Sequence, residues 1–455
     1  MKIVLLIVLL ALPVDMVRAG ESSLEFGRFG TVIIYKPDKV ENVVIFISGD
    51  GGWNLGVVDM AGMLNRMNTL VLGVDITKYL KALRSSKDEC WYSAADFEEL
   101  SQFAQKDLGI PEYIRPIIAG YSSGATLAYT LLAQAPPNTF RAAVSLGFCP
   151  DLNTPKPLCK GSGLTHGAFI PKTGYIYGPA ALSAPWVAFQ GLADKVCAPA
   201  VTESFVKDVR GGDIVLLPKV GHGFGVQSRW VPQFEAAFKR LTVVELPTAS
   251  PAEVADLPLI QIPVQTERPY FALVISGDGG WAGIDREVAS ALVKDGVPVV
   301  GLDSLKYFWK PRNPDGVAAD LSRVIDHFSK TWSKQKVLLV GYSRGADVLP
   351  FAANRLTPEA RSKIGLLALL GPGRNAEFEF KLTDWLGDSG AGAPIKPEIE
   401  AWSGSPVICF YGKSDKGNLC EILDPNRFTV VKLDGGHHFG GAYSEIAARI
   451  MKEIR

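Results

Sequence analysis

The sequence predicts an α/β protein of two tandem domains, each a mostly parallel sheet with helices on both faces. Three observations carry that prediction. Landmarks recur in one order along the chain: Ile47-Ser48-Gly49-Asp50-Gly51-Gly52-Trp53 returns unchanged at residues 275–281. An offset of 228 (276 − 48) also relates Asp75 to Asp303; an offset of 221 (343 − 122) also relates Asp194 to Asp415; and His222 precedes His437 by 215. Apolar runs of strand length, such as 43–47 and 337–340, alternate with helical stretches such as 317–329, which implies βαβ units. Finally, each half carries a G-x-S-x-G pentapeptide between a strand pattern and a helix pattern, centred on Ser122 and on Ser343.

A repeat of about 200 residues is far longer than the roughly 20–50 of stacked repeat units, so each copy should bury its own core. In chain order, Lys2, the apolar run 3–14 and Val17-Arg18-Ala19 read as a secretory signal over residues 1–19, cleaved after Ala19. That run is too short for a bilayer, which takes about 20 apolar residues. The first domain is assigned to 20–245 and the second to 259–455. Between them, Leu246-Pro247-Thr248-Ala249-Ser250-Pro251 begins a linker over 246–258. The 455 residues are 47% hydrophobic with a formal net charge of zero, which argues against a nucleic-acid partner.

Six cysteines divide evenly between the halves: Cys90, Cys149, Cys159 and Cys197, then Cys409 and Cys420. With export expected, disulfides within each half are the natural reading. Cys409 and Cys420 have only each other, and their bridge would close a loop holding Asp415. The pairing of the first four stays open.

The glycines of the pentapeptide permit a tight strand-to-helix turn that lifts its serine over the sheet edge. In each half Ser, Asp and His follow one another, all beyond the carboxyl ends of predicted parallel strands, where such sheets place their sites. In the second copy, His437 would take the proton of Ser343 while Asp415 orients the imidazole; Ser122, Asp194 and His222 form the corresponding set of the first. The oxyanion would be held by the backbone N–H groups of Arg344 and Asp278, the latter in the Ser276-Gly277-Asp278-Gly279-Gly280 loop. No metal or other cofactor is expected, because adjacent His437 and His438 should point apart and lack further ligands. Trp281 and Trp53 either pack the sheet edge or form an apolar wall for a lipid.

Two copies carrying Ile-Ser-Gly-Asp-Gly-Gly-Trp, Gly-Tyr-Ser-Arg-Gly-Ala-Asp and Gly-Gly-His-His-Phe-Gly resemble the AcvB/VirJ family of bacterial virulence proteins in its two-domain form. The resemblance implies tandem α/β-hydrolase domains in the periplasm. It further implies hydrolysis of lysyl-phosphatidylglycerol to lysine and phosphatidylglycerol at a membrane surface, or a binding role linked to type IV secretion proteins. For such an aminoacyl-phospholipid, Asp278 and Asp347 could meet the ammonium groups, Arg344 the phosphate, and Trp281 the lipid. The first copy has Asp50, Thr126 and Ser123 where the second has Asp278, Asp347 and Arg344. The second is therefore expected to do the lipid chemistry, although Arg344 and Asp347, at i and i+3, could simply pair with each other.

Overall fold

Alternation along the apolar runs settles where the cores lie. In the first domain Val43, Ile45 and Ile47 face one hydrophobic cluster, while Val44 and Phe46 between them face another. In the second domain Phe271, Leu273 and Ile275 face one cluster and Ala272 and Val274 the other. A strand buried on both faces must be covered by helices on both, as the alternation required. These features come from a computed structural model that describes residues 21–169, 173–242, 253–381 and 392–454. The expected signal peptide lies outside the described residues, as does the linker up to residue 252.

The first domain contains β1 (Glu21–Phe26), β2 (Gly30–Tyr35), β3 (Asn42–Ile47), β4 (Thr69–Val74), β5 (Ile117–Tyr121), β6 (Ala142–Leu146), β7 (Asp151–Leu152), β8 (His166–Ala168), β9 (Tyr175–Tyr177), β10 (Ala181–Gly191) and β11 (Arg210–Leu217). Its main sheet has the order β1-β2-β4-β3-β5-β6-β10-β11. β2 pairs antiparallel with both β1 and β4, and the remaining pairings are parallel. β7, β9 and β8 form a small antiparallel sheet of their own.

The second domain contains β12 (Leu259–Ile262), β13 (Tyr270–Ile275), β14 (Val299–Leu302), β15 (Lys336–Tyr342), β16 (Ile364–Leu370), β17 (Asn375–Ala376), β18 (Ala393–Pro394), β19 (Val407–Gly412) and β20 (Thr429–Leu433). The order β12-β14-β13-β15-β16-β19-β20 repeats the first plan with a single antiparallel strand, β12, at the edge. Both domains are thus α/β-hydrolase-like. Part of the expected linker is not a free connection. Val254 and Leu257 are buried in the second core, and Glu253 meets His327 at 2.8 Å, so residues 253–258 pack as part of the second domain.

All six cysteines are paired, as Cys90–Cys159, Cys149–Cys197 and Cys409–Cys420. The last is the expected bridge around Asp415. The domains meet through an apolar cluster of Tyr113, Leu305, Trp309 and Phe380. Two hydrogen bonds flank it, from Lys106 Nζ to the Trp309 carbonyl at 2.7 Å and from Trp309 Nε1 to the Ile110 carbonyl at 2.8 Å.

Candidate active site

Register brings the conserved-in-order landmarks of each copy to one edge of its sheet. Ile275 pairs with Gly341, so the loop after β13 and the turn after β15 emerge side by side, and Ile47 with Gly120 repeats this in the first domain. The turns are tight elbows: Ser343 has φ 52° and Ser122 φ 57°, a left-handed conformation costly for any residue with a Cβ. Their glycines are sterically required. A Cβ on Gly341 would sit 2.5 Å from the Gly345 backbone, and one on Gly345 would sit 2.1 Å from the Ile275 carbonyl oxygen. Helices Ser123–Gln134 and Arg344–Arg355 start immediately after the serines.

The glycine loop is fastened from below. Ser276 Oγ accepts the Ser304 backbone N–H at 2.9 Å, and in the first copy Ser48 Oγ accepts that of Ile76 at 3.1 Å. The Gly-x-Asp landmark serves the same loop: Asp75 accepts from the Trp53 N–H at 3.2 Å while capping helix Ile76–Leu83. Gly277 passes so close to the elbow that an added Cβ would lie 3.4 Å from Ser343 Cβ. Asp278 follows Gly277 in that loop, and Arg344 is the first residue of its helix, where N–H groups have no intrahelical acceptor.

In the first domain all three residues are hydrogen-bonded: Ser122 Oγ to His222 Nε2 at 2.9 Å and His222 Nδ1 to Asp194 Oδ2 at 2.8 Å. Asp194 also accepts the N–H groups of Val196 and Cys197 and the amide of Gln190. The sulfur of Cys197 lies near Asp194 and His222, but it is held in the bridge to Cys149 and offers no thiolate to a metal. In the second domain His437 Nδ1 is 2.9 Å from Asp415 Oδ2, while no hydrogen bond joins His437 to Ser343 among the described residues. The His437 side chain is 40% exposed against 16% for His222, so its set is the more open. Burial and the neighbouring His437 push the His438 imidazole below its usual pKa.

Ser343, His437, His438 and Asp278 share a cavity of about 820 Å³. The glycine loop of the first domain lines a space of about 140 Å³ with Val57 and Met60, which Ser122 and His222 do not line. Two expected substrate contacts, Trp281 and Asp347, lie differently. Trp281 is buried in the core against Gly301, where a Cβ would come within 2.3 Å of its ring, so it packs the sheet edge and does not line the Ser343 cavity. Asp347 points to the loop after β16 and accepts the Gly373 N–H at 2.7 Å; burial raises its carboxyl to about 7. Arg344 donates to the Glu379 carbonyl at 3.0 Å and lies over the Phe380 ring, bordering a separate cavity with Asp278.

The profile of a family described as bacterial virulence protein (VirJ) matches residues 41–148 and 269–455, more than half of the chain. The chain belongs to the VirJ family. No curated protein matches it. Solved structures similar to this VirJ-family chain include the esterase domain of a Rhodothermus marinus protein, at 13% identity over 48% of this chain and 97% of that one, with a TM-score of 0.33. A native esterase from Thermogutta terrifontis matches at 14% identity over 51% and 96%, TM-score 0.35. An alpha-beta serine hydrolase homologue from Coxiella burnetii matches at 14% over 49% and 96%, TM-score 0.32.

One residue of this VirJ-family site escaped the sequence. Glu98, on helix Ser93–Asp107 of the first domain, lines the cavity that holds Ser343 of the second. No motif marks it, because its position depends on how the two domains dock.

Proposed function

We propose that the chain is a periplasmic serine hydrolase whose second domain cleaves the aminoacyl ester of lysyl-phosphatidylglycerol. The observation that carries this reading is Ser343 on its strained elbow, opening with His437 into one 820 Å³ cavity while His437 is oriented by Asp415. Ser343 Oγ attacks the ester carbonyl as His437 Nε2 takes its proton. The oxyanion that forms is held by the N–H groups of Asp278 and Arg344. Collapse breaks the ester C–O bond, and His437 returns the proton to the departing glycerol oxygen of phosphatidylglycerol. Water, deprotonated by His437, then attacks the lysyl-serine ester and releases lysine with Ser343 restored.

Arg344, beside its separate cavity, supplies the cation for the lipid phosphate. The three disulfides fit an exported protein. Among the described residues no helix is long and apolar enough to cross a membrane, and the substrate is met at the membrane surface. The test is release of lysine from purified lysyl-phosphatidylglycerol by the full chain and by Ser343→Ala. A loss of about 10⁴-fold or more is expected; full activity in the variant refutes the reading.

A second reading concerns the first domain, whose Ser122, His222 and Asp194 are already joined by hydrogen bonds. It acts as an esterase in its own right, with His222, only 16% exposed, suited to the smaller esters.

A further inference from the structure

The cavity at Ser343 is built by both domains. From the first come Tyr92, Ala95, Glu98 and Pro137; from the second come Asp278, Ser343 and His437. Helix Ser93–Asp107 is held there by the Lys106–Trp309 hydrogen bond and by the apolar cluster around Trp309. The glycine loop is tied to the first domain as well, since Asn138 Nδ2 donates to the Trp281 carbonyl at 2.8 Å. The wall opposite the serine is therefore a fixed part of the site.

Glu98 stands at the junction of three spaces. With Gly279 it lines the 820 Å³ cavity, a second of about 470 Å³ behind the glycine loop and a third of about 320 Å³ that reaches Arg344. Its carboxyl has no hydrogen bond or ion pair among the described residues, and the charges acting on it, Asp278 and Glu99, are both negative. A half-buried carboxylate facing like charges is unfavourable unless it takes up a proton or a cation. The duplication supplies an internal control. The Tyr79–Asp96 hydrogen bond recurs as Tyr307–Asp320, an offset of 224 (320 − 96) that places buried Ser322 of helix Pro314–Thr331 where the first copy has Glu98, so the acid occurs only in the copy whose helix walls another domain's cavity.

We propose that Glu98 is a specificity-determining residue of the second domain's reaction, receiving with Asp278 the ammonium group of an ester whose carbonyl lies at Ser343. This rests on the reading of Ser343 as the nucleophile. The first domain thereby contributes recognition to a reaction carried out on the second.

The test uses the full chain carrying Ser122→Ala, so that only Ser343 reports, and a matched pair of p-nitrophenyl esters, 6-aminohexanoyl and hexanoyl. Glu98→Gln should lower kcat/KM for the cationic ester by about ten- to a hundred-fold and change that for the neutral ester by less than about two-fold. Equal losses on both esters, or none on the cationic one, overturn the proposal. If the Ser122→Ala protein hydrolyses neither, it is the esterase reading of Ser343 that fails, and Glu98 is judged by binding. Lysinamide titrated calorimetrically into Ser343→Ala should bind at least about ten-fold more tightly than into Ser343→Ala with Glu98→Gln. Equal affinities, or binding detectable in neither protein, overturn it.

Discussion

Ser122 Oγ lies 2.9 Å from His222 Nε2, a contact that the otherwise parallel pair Ser343 and His437 lacks. The histidine of the assembled set is 16% exposed, and that of the open set is 40% exposed and lines the 820 Å³ cavity with Ser343. Free enzymes often hold such bonds long until substrate closes the site, so the gap at Ser343 does not rank it below Ser122. The more open histidine marks Ser343 as the serine that a bulky ester reaches.

The first prediction separates the two sites by substrate size. Ser122→Ala should remove most hydrolysis of p-nitrophenyl acetate while leaving lysine release from the phospholipid intact, and Ser343→Ala should do the reverse. Both activities are measured on the same preparations. Abolition of lysine release by Ser122→Ala alone would reverse the roles.

A second prediction concerns the elbow. Gly345→Ala directs a Cβ to within 2.1 Å of the Ile275 carbonyl oxygen, a backbone atom that can move only with β13. Overpacking of this kind costs about 1–3 kcal/mol or more. Urea unfolding should show that loss, together with falling activity as the serine shifts. Unchanged stability would mean that the strand gives way freely.

The third prediction rests on the Cys409–Cys420 bridge, whose loop spans 11 residues around Asp415. Replacing both cysteines by serine should cost about 2.5–3 kcal/mol on loop entropy alone. Because Asp415 orients His437, kcat for lysine release from the phospholipid should fall while its KM changes little. A variant with native stability and native kcat would show that the bridge is dispensable to both.

How much of this was written in the chain depends on whether the feature is local. The elbows, the glycine loops and the histidine loops were legible because each needs particular residue types at fixed spacing, and duplication showed every one of them twice. The bridge at Cys409 followed from having a single partner in its half. Trp281 was ambiguous from sequence because a tryptophan beside a glycine loop suits a core or a lipid wall equally; Gly301, across the sheet, takes its ring. Asp347 offered a carboxylate to the ammonium groups or a partner to Arg344, yet its acceptor role is to the Gly373 N–H, in a loop that no spacing rule connects to it. Glu98 was hidden most completely, since only the docking of one domain against the other brings it to Ser343.

The last prediction uses Glu98 as a reporter of that docking. Burial, with the charges of Asp278 and Glu99 added, pushes its carboxyl up to about 8, above the 4.5 of a free glutamate. The native state therefore binds this proton more tightly than the unfolded chain. Its contribution to stability is complete below pH about 4.5 and is lost as pH rises to about 8. Glu98→Gln lacks this loss, so its melting temperature relative to the unaltered protein should climb between pH 5 and 8 and level off above. A cation seated beside the ionised carboxylate would offset the same loss, so lysinamide should raise the melting temperature more at pH 8.5 than at pH 6, and only when Glu98 is present. Parallel pH profiles for the two proteins would show that Glu98 is not held between the domains in this way.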